Sequence, residues 1–389
     1  VNIPAGARQV DVSGRTIIPG LIDAHAHGQQ AEDDLIPQQN WSAMSHLALG
    51  VTTVHDPSST ASEIFASAEL QRAGRILAPR TFSSGEIVYG ARSPGRYALV
   101  DSYEDALSHV RRLRAQGAHS VKNYNQPRRN QRQQVAAAAR AENMLVVPEG
   151  GSLYSMDVTL IQDGNSTIEH NIPQQRFYSD LVQLFSQSRT GYNPTLVVTY
   201  GGLAGDPYWS QATPVWDHPL LTRHTPPSEL AARVRAVTAP PEQFVDQYAG
   251  RESLRLAEAG VPVAIGGHGQ QPGLAAHWEI WSHVRGGASP VQALRYATVE
   301  GARLYGFEDI GTLEPGKLAD LLILDANPLE DIQNTDNISQ VMLNGRLYDA
   351  ATLNETVTGN RQRQPYYWEA DGSGTTAPTA TVSATHQAD

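Results

Sequence analysis

Short apolar runs alternate with longer amphipathic stretches along most of the chain. Eight runs have strand character: TIIPGLIDAHAH, GVTTVHDP, PRTFSSGEIV, SVKNYN, LVVPEGG, STIEHN, YNPTLVVT and PVAIGGHG. The segments between them include ASEIFASAELQRAG, YEDALSHVRRLRAQGAH, RNQRQQVAAAARAEN and YAGRESLRLAEAG. These show helical spacing, and several stop at a glycine, where a helix C-cap is expected. A strand–helix unit repeated eight times predicts an α/β fold, the parallel (β/α)8 or TIM barrel. Two regions break the alternation. Residues 200–243 follow the seventh run and carry Tyr200, Tyr208, Trp209 and Trp216 among prolines and glycines. An insertion after a barrel strand lies on the catalytic face, so a lid or substrate wall is expected there. A packed surface insertion fits the same pattern equally well. The second region, GTLEPGKLADLLILDANP with VMLNGRLYDA, reads as short strands outside the barrel.

Composition narrows the partners. The 389 residues, 40% hydrophobic and 18% charged, suffice for one large domain or two ordinary ones with a sizeable core. A net charge of −11 argues against nucleic acid or an anionic membrane as the main partner. No apolar run approaches the ~20 residues of a membrane helix. Without cysteine there is neither a disulfide nor thiolate chemistry, and the compartment is left undetermined. The opening VNIPAGARQVDVSGRTIIPG resembles no signal peptide and reads as though an upstream piece had been removed. Residues 370–389, rich in Gly, Ser, Thr and Ala, are expected to form a flexible tail.

Several polar residues stand at the ends of the runs. In GLIDAHAH, alternation points His25 and His27 the same way, with Asp23 beside them. Two imidazoles about 7 Å apart along a strand make half of a metal site. Lys122, in the fourth run, would be costly inside a barrel unless neutral, paired or modified. A neutral amine there can take up carbon dioxide to give a bridging carbamate. The alternative is a lysine paired with Glu149 or Asp56. Glu149 ends the fifth run beside two glycines, His170 ends the sixth, and His268 ends the eighth after Gly266 and Gly267. Glu169 alternates away from His170 and is expected to face the helices.

These residues resemble the amidohydrolase superfamily, metal-dependent hydrolases on a (β/α)8 barrel, over about residues 8–350. GRTIIPGLIDAHAH is similar to the family's first-strand motif and GTLEPGKLADLLILDANP to its C-terminal one. VKNYNQPRRNQRQQVAAAARAENMLVVPEGGS and GGHGQQPGLAAHWEIW resemble a narrower group. Its members carry a TolB-like β-propeller upstream and belong near the imidazolonepropionase and prolidase-like branch.

The resemblance implies His25 and His27 as first-strand metal ligands, Lys122 as the carboxylated bridging lysine and His170 as the sixth-strand ligand. Two positions depart from the pattern. Glu149 stands where a histidine is usual, and His268 where an aspartate is. The exchange keeps four imidazoles, one lysine and one carboxylate, so the implied site is a binuclear metal centre. Zinc suits it, as would manganese or another divalent ion. The implied reaction is attack of a metal-bound hydroxide on a C–N bond of a dipeptide, N-acyl amino acid or cyclic amide. His268 or Glu149 would carry the proton.

His277 and Glu279 would orient His268, or simply pair on the last helix. Tyr124, Arg128 and Tyr200 are candidate substrate contacts. Arg128 and Arg129 would pair with a substrate carboxylate, or only begin a helix. The same site would serve a lactone or ester hydrolase, and a catalytically silent barrel acting as a binding or assembly module is a third reading.

The resemblance also sets the expected organisation. Residues 1–15 and 308–350 form a small β-sandwich part whose leading strands are missing, and 16–307 form the barrel. A second polypeptide carrying those strands or a propeller would pair with the edge around 316–348, or that edge lies exposed. A homo-oligomer is left open, and a periplasmic or extracellular location is implied by the resemblance alone.

Overall fold

The first apolar run forms two strands. In the computed structural model, β1 (Thr16–Pro19) and β2 (Leu21–Asp23) part at Gly20. A Cβ on Gly20 would lie 2.2 Å from Thr52 Oγ1, so glycine is what lets the two strands diverge against β3 (Val51–Asp56). The structure describes residues 3–370 except 33, 93–96, 152 and 234–236. The tail expected to be flexible lies, beyond residue 370, outside the described residues.

From β2 onward the pairing is parallel. β2 pairs with β3, and β3 with β4 (Arg80–Ser83). β5 (Ser120–Asn123) pairs with β6 (Leu145–Pro148), and β7 (Thr167–Glu169) with β8 (Gly191–Asn193). Single contacts continue the path between these pairs. His119 N–H donates to Ser83 O at 2.8 Å, and parallel bridges join Glu149 to Glu169 and Tyr192 to Val263. Ala24 N–H then donates to Ile265 O at 3.0 Å, which returns the path to β2. Strands in such an arrangement are covered on both faces, and β3, β5 and β7 are buried throughout. The expected helices are present, including Ala61–Arg72, Tyr103–Gln116, Arg129–Ala141 and Asp246–Glu258. Tyr103–Gln116 starts in a capping box between Ser102 and Asp105.

The second region is a four-stranded antiparallel sheet in the order β1, β9 (Leu321–Leu324), β10 (Ile338–Leu343), β11 (Arg346–Asp349). This differs from the sequence expectation in two ways. Residues 3–15 form no strand, and the leading strand is Thr16–Pro19, which the sequence reading had placed in the barrel. The edge around 316–348 is also covered. β9 lies between β1 and β10, while Thr356 N–H donates to Leu347 O and Asp349 N–H to Asn354 O along β11.

The insertion folds into the helices Gly205–Ala212, Pro219–His224 and Pro227–Arg233. It packs on the helix Leu274–Arg285, where Trp209 Nε1–H donates to Ser282 Oγ at 2.8 Å. His224 reaches Tyr366 OH and Ala350 O near the C-terminal segment. Tyr200 is the aromatic of this region that meets a predicted site residue, with its ring 5.5 Å from that of His170. Trp216 is exposed. Among the described residues, no helix is long and apolar enough to cross a membrane.

Candidate metal centre

Two arms bring the histidines together, and one buried carboxylate ties the arms. Asp23 Oδ1 accepts from His25 N–H at 3.2 Å and from Gly267 N–H at 2.9 Å. His268 N–H in turn donates to His25 O at 2.6 Å. The two glycines before His268 follow from this closeness. A Cβ on Gly266 would stand 2.7 Å from His25 Cβ, and one on Gly267 2.6 Å from Asp23 Oδ2. Burial pushes the Asp23 carboxyl up to about 7, against the two backbone donors that favour its charge.

Four imidazoles face one another at the strand ends. The His25 ring lies 5.0 Å from His27, 4.9 Å from His170 and 5.1 Å from His268. Ligand atoms of His25, His170 and His268 fall within 4.8 Å of one another. Each of the first two histidines is held from behind. His25 Nδ1 lies 2.7 Å from Glu169 Oε2, and His27 Nδ1 lies 2.8 Å from Asp56 Oδ1. Burial raises the Glu169 carboxyl to about 7, against Lys122 and the Thr167 and Tyr305 donors. An ionised carboxylate only accepts, and this places the proton of each ring on Nδ1 and leaves a lone pair on each Nε2. Those two Nε2 atoms face each other at 3.2 Å. Two acceptors at that distance gain nothing from each other, whereas a cation between them would satisfy both.

The remaining donors complete the set. Glu149 is bound on both oxygens, by Lys122 Nζ at 2.6 Å and His170 Nε2 at 3.1 Å. Thr195 Oγ1 lies 2.7 Å from His170 Nδ1. Among the described residues, His268 Nδ1 is buried without a hydrogen-bond partner. Burial, and then the Lys122 ammonium and the neighbouring rings, holds the His25 pKa well below the usual imidazole range. His268 is lowered in the same way by burial and then by His27 and His170. Burial raises the Glu149 pKa, but Lys122 and His170 together outweigh it and hold the carboxyl well below its ordinary value. The imidazoles of His25 and His268, whose charged forms burial disfavours, with the Glu149 carboxylate and an orphaned ring nitrogen, make a donor set that fits a divalent cation.

The structure thus gathers His25, His27, Lys122, Glu149, His170 and His268, with Tyr200 against His170. It also places Tyr124 near Lys122, whose Nζ is 6.0 Å from the centre of the tyrosine ring. Other expected residues lie elsewhere. His277 bonds Leu49 O and Thr335 Oγ1, so neither ring nitrogen is available to His268. Glu279 accepts from Val197 N–H at 2.7 Å and Gly266 N–H at 3.4 Å, so it braces the backbone before His268 rather than the ring. Arg128 pairs with Asp101 and Arg129 with Asp163.

Glu169 is the clearest reversal. It was expected to face the helices but is fully buried against His25. The reason is backbone shape. His170 has φ 68°, a left-handed turn at the strand end that breaks the alternation. Glu169 and Asp56 therefore act as carboxylates behind the histidines, and Thr195 and Tyr305 join them. The first two left a signal in the sequence, an acid at a strand's C-terminal end; the last two left none.

Comparisons with known proteins bear on the fold. Residues 254–348 match the sequence model of the amidohydrolase family. No curated protein is matched by the sequence. Among solved structures, the chain is similar to a Xaa-Pro dipeptidase with methionine bound in its active site. The identity is 22% over 90% of both chains, with a TM-score of 0.67. It is similar to phenylurea hydrolase B at 20% identity over 93% of this chain and 91% of that one, with a TM-score of 0.66. Molinate hydrolase aligns at 16% identity over 90% and 86%, with a TM-score of 0.67. The resemblance to the amidohydrolases drawn from the sequence stands.

Proposed function

We propose that this chain is a metal-dependent hydrolase of a C–N bond in a small amide or dipeptide, working at the mouth of a closed (β/α)8 barrel. The observation that carries the reading is the pair of lone-pair-bearing Nε2 atoms on His25 and His27, 3.2 Å apart, with His170 and His268 beside them. The hydrogen bonds from Ala24 N–H to Ile265 O and from His268 N–H to His25 O, which link the eighth segment back to β2, support the barrel. The fold's likeness to a dipeptidase and to two hydrolases supports the reaction class.

His25, His27, His170, His268 and Glu149 would hold the metal, with Lys122 as the counter-ion of Glu149 or, after carboxylation, as a bridge between two ions. A divalent ion in such a site supplies Lewis acidity and brings the pKa of a bound water to about 7. The chain's own residues then manage the proton, which must leave the attacking water and reach the departing amine. Both Glu149 oxygens are already engaged, whereas His268 Nδ1 has no partner among the described residues. His268 is therefore the proton carrier. Tyr200, fixed through its backbone by the Asn171 amide at 2.6 and 3.2 Å, walls the side of the site next to His170. Carboxylation of Lys122 adds carbon dioxide to Nζ and releases a proton, and it requires the Glu149 contact to open. A carbamate signal in ¹³C NMR after labelling with ¹³CO₂ would identify it.

The test is a hydrolysis screen of zinc- and manganese-loaded protein over dipeptides, N-acyl amino acids, cyclic amides and lactones. Turnover of an amide or dipeptide is expected. Turnover of lactones alone would move the reading to an ester hydrolase. A protein that loads metal and hydrolyses nothing would leave the binding or assembly module.

A further inference from the structure

Behind the site, one side chain from outside the strands reaches the carboxylate that holds His25. Tyr305 follows the helix Val299–Leu304, is fully buried, and rests with its ring 4.8 Å from that of His55. Its O–H donates to Glu169 Oε1 at 2.8 Å, and it accepts from Asn193 Nδ2–H at 3.2 Å. Thr167 O–H donates to the same Glu169 oxygen at 2.6 Å. Two donors therefore converge on Oε1, while Oε2 faces His25 Nδ1 at 2.7 Å.

We infer that Tyr305, through Glu169, is a positioning residue for His25: it orients the carboxylate so that the imidazole keeps its proton on Nδ1 and presents Nε2 to the metal. This rests on the metal-site reading above. Without the tyrosine O–H, Oε1 keeps only the Thr167 donor, and the plane of the carboxylate is held less firmly. The partner of His25 Nδ1 is then less well aimed, and the tautomer is less firmly fixed. The ring of Tyr305 remains packed by His55 and Phe307, so removing only the hydroxyl leaves the core shape intact.

Zinc affinity, read by competition with a chromophoric chelator, tests this in the full chain. Glu169→Gln is expected to weaken zinc binding by about 10- to 100-fold. Tyr305→Phe is expected to weaken it by about three- to tenfold, and the double variant no further than Glu169→Gln alone, because both act through one carboxylate. An unchanged affinity in Tyr305→Phe, or a double variant weakened by the product of the two, would overturn the inference. Should Tyr305→Phe fail to fold, Thr167→Val removes the other donor on the same oxygen and is expected to weaken zinc in the same way. An unchanged affinity there is equally contrary.

A second readout needs no metal. The ¹⁵N shifts of His25 in the metal-free protein should report the Nδ1–H tautomer, with the proportion of Nε2–H rising in Tyr305→Phe. A wild-type chain that binds no zinc would remove the proposed function. Identical tautomer populations in wild type and Tyr305→Phe would remove this inference.

Discussion

His25 and His277 are equally buried, yet they sit in opposite kinds of surroundings. Both nitrogens of His277 are engaged by neighbouring protein groups, Leu49 O at 2.8 Å and Thr335 Oγ1 at 3.0 Å. His25 is engaged on Nδ1 alone, and its Nε2 meets another ring's Nε2. One region closes its hydrogen bonds and so builds the fold. The other leaves lone pairs converging on a point, which is a state that a cation resolves. Burial does not separate the two; the bookkeeping of ring nitrogens does.

The largest effect that would sharpen this contrast is kinetic. His268→Ala should lower turnover by about 10²- to 10⁴-fold, since it removes the proton carrier together with one of the metal's donors. His277→Ala should do the opposite. It strands Leu49 O in the core and should cost about 1–3 kcal/mol of stability, read by urea unfolding, with metal content unchanged. If His277→Ala lost metal, or His268→Ala left turnover unchanged, the contrast between the regions would fail.

A pH effect comes next. Burial lowers the His224 pKa from 6.5 to about 4, outweighing its bond to Ala350 O. The unfolded chain therefore takes up a proton from pH 6.5 downward while the folded chain resists until about 4. Stability linked to His224 is fully present above pH 6.5 and falls away as the pH drops toward 4, by on the order of 3 kcal/mol. Urea midpoints at pH 7 and 4.5 should differ less in His224→Gln than in wild type. Equal differences would show that this histidine does not titrate as its burial requires.

The smallest expected effect is at Arg128. It is paired with Asp101, and both side chains are more than half exposed, at 59% and 73%. Arg128→Ala should change KM less than twofold and stability by less than about 1 kcal/mol. A tenfold rise in KM would bring Arg128 back as a substrate contact.

Seven of the eight expected parallel strands, the helices and the six converging side chains were legible in the sequence because each rests on a local pattern, whereas the eighth run forms only a single bridge, at Val263. Apolar runs give strands, and a polar residue at the end of a run gives a side chain at the mouth. What was not legible depended on backbone turns and on distant partners. The left-handed conformations of His170 and His268, with φ 68° and 57°, redirect side chains that simple alternation assigns wrongly, and Glu169 was misplaced for that reason. Tyr305 lies 136 residues from the carboxylate it touches, and no spacing rule connects them. The split of the first run at Gly20 hid the leading strand of the antiparallel sheet, because a single apolar stretch serves two sheets.

The central claim is that four imidazoles converge to hold a metal, and metal stoichiometry tests it most directly. Protein equilibrated with zinc, then dialysed and measured by elemental analysis, should retain one or two ions per chain in wild type and lose at least one of them in His25→Ala. A wild-type chain that retains no zinc, or a His25→Ala chain that retains as much as wild type, would contradict it.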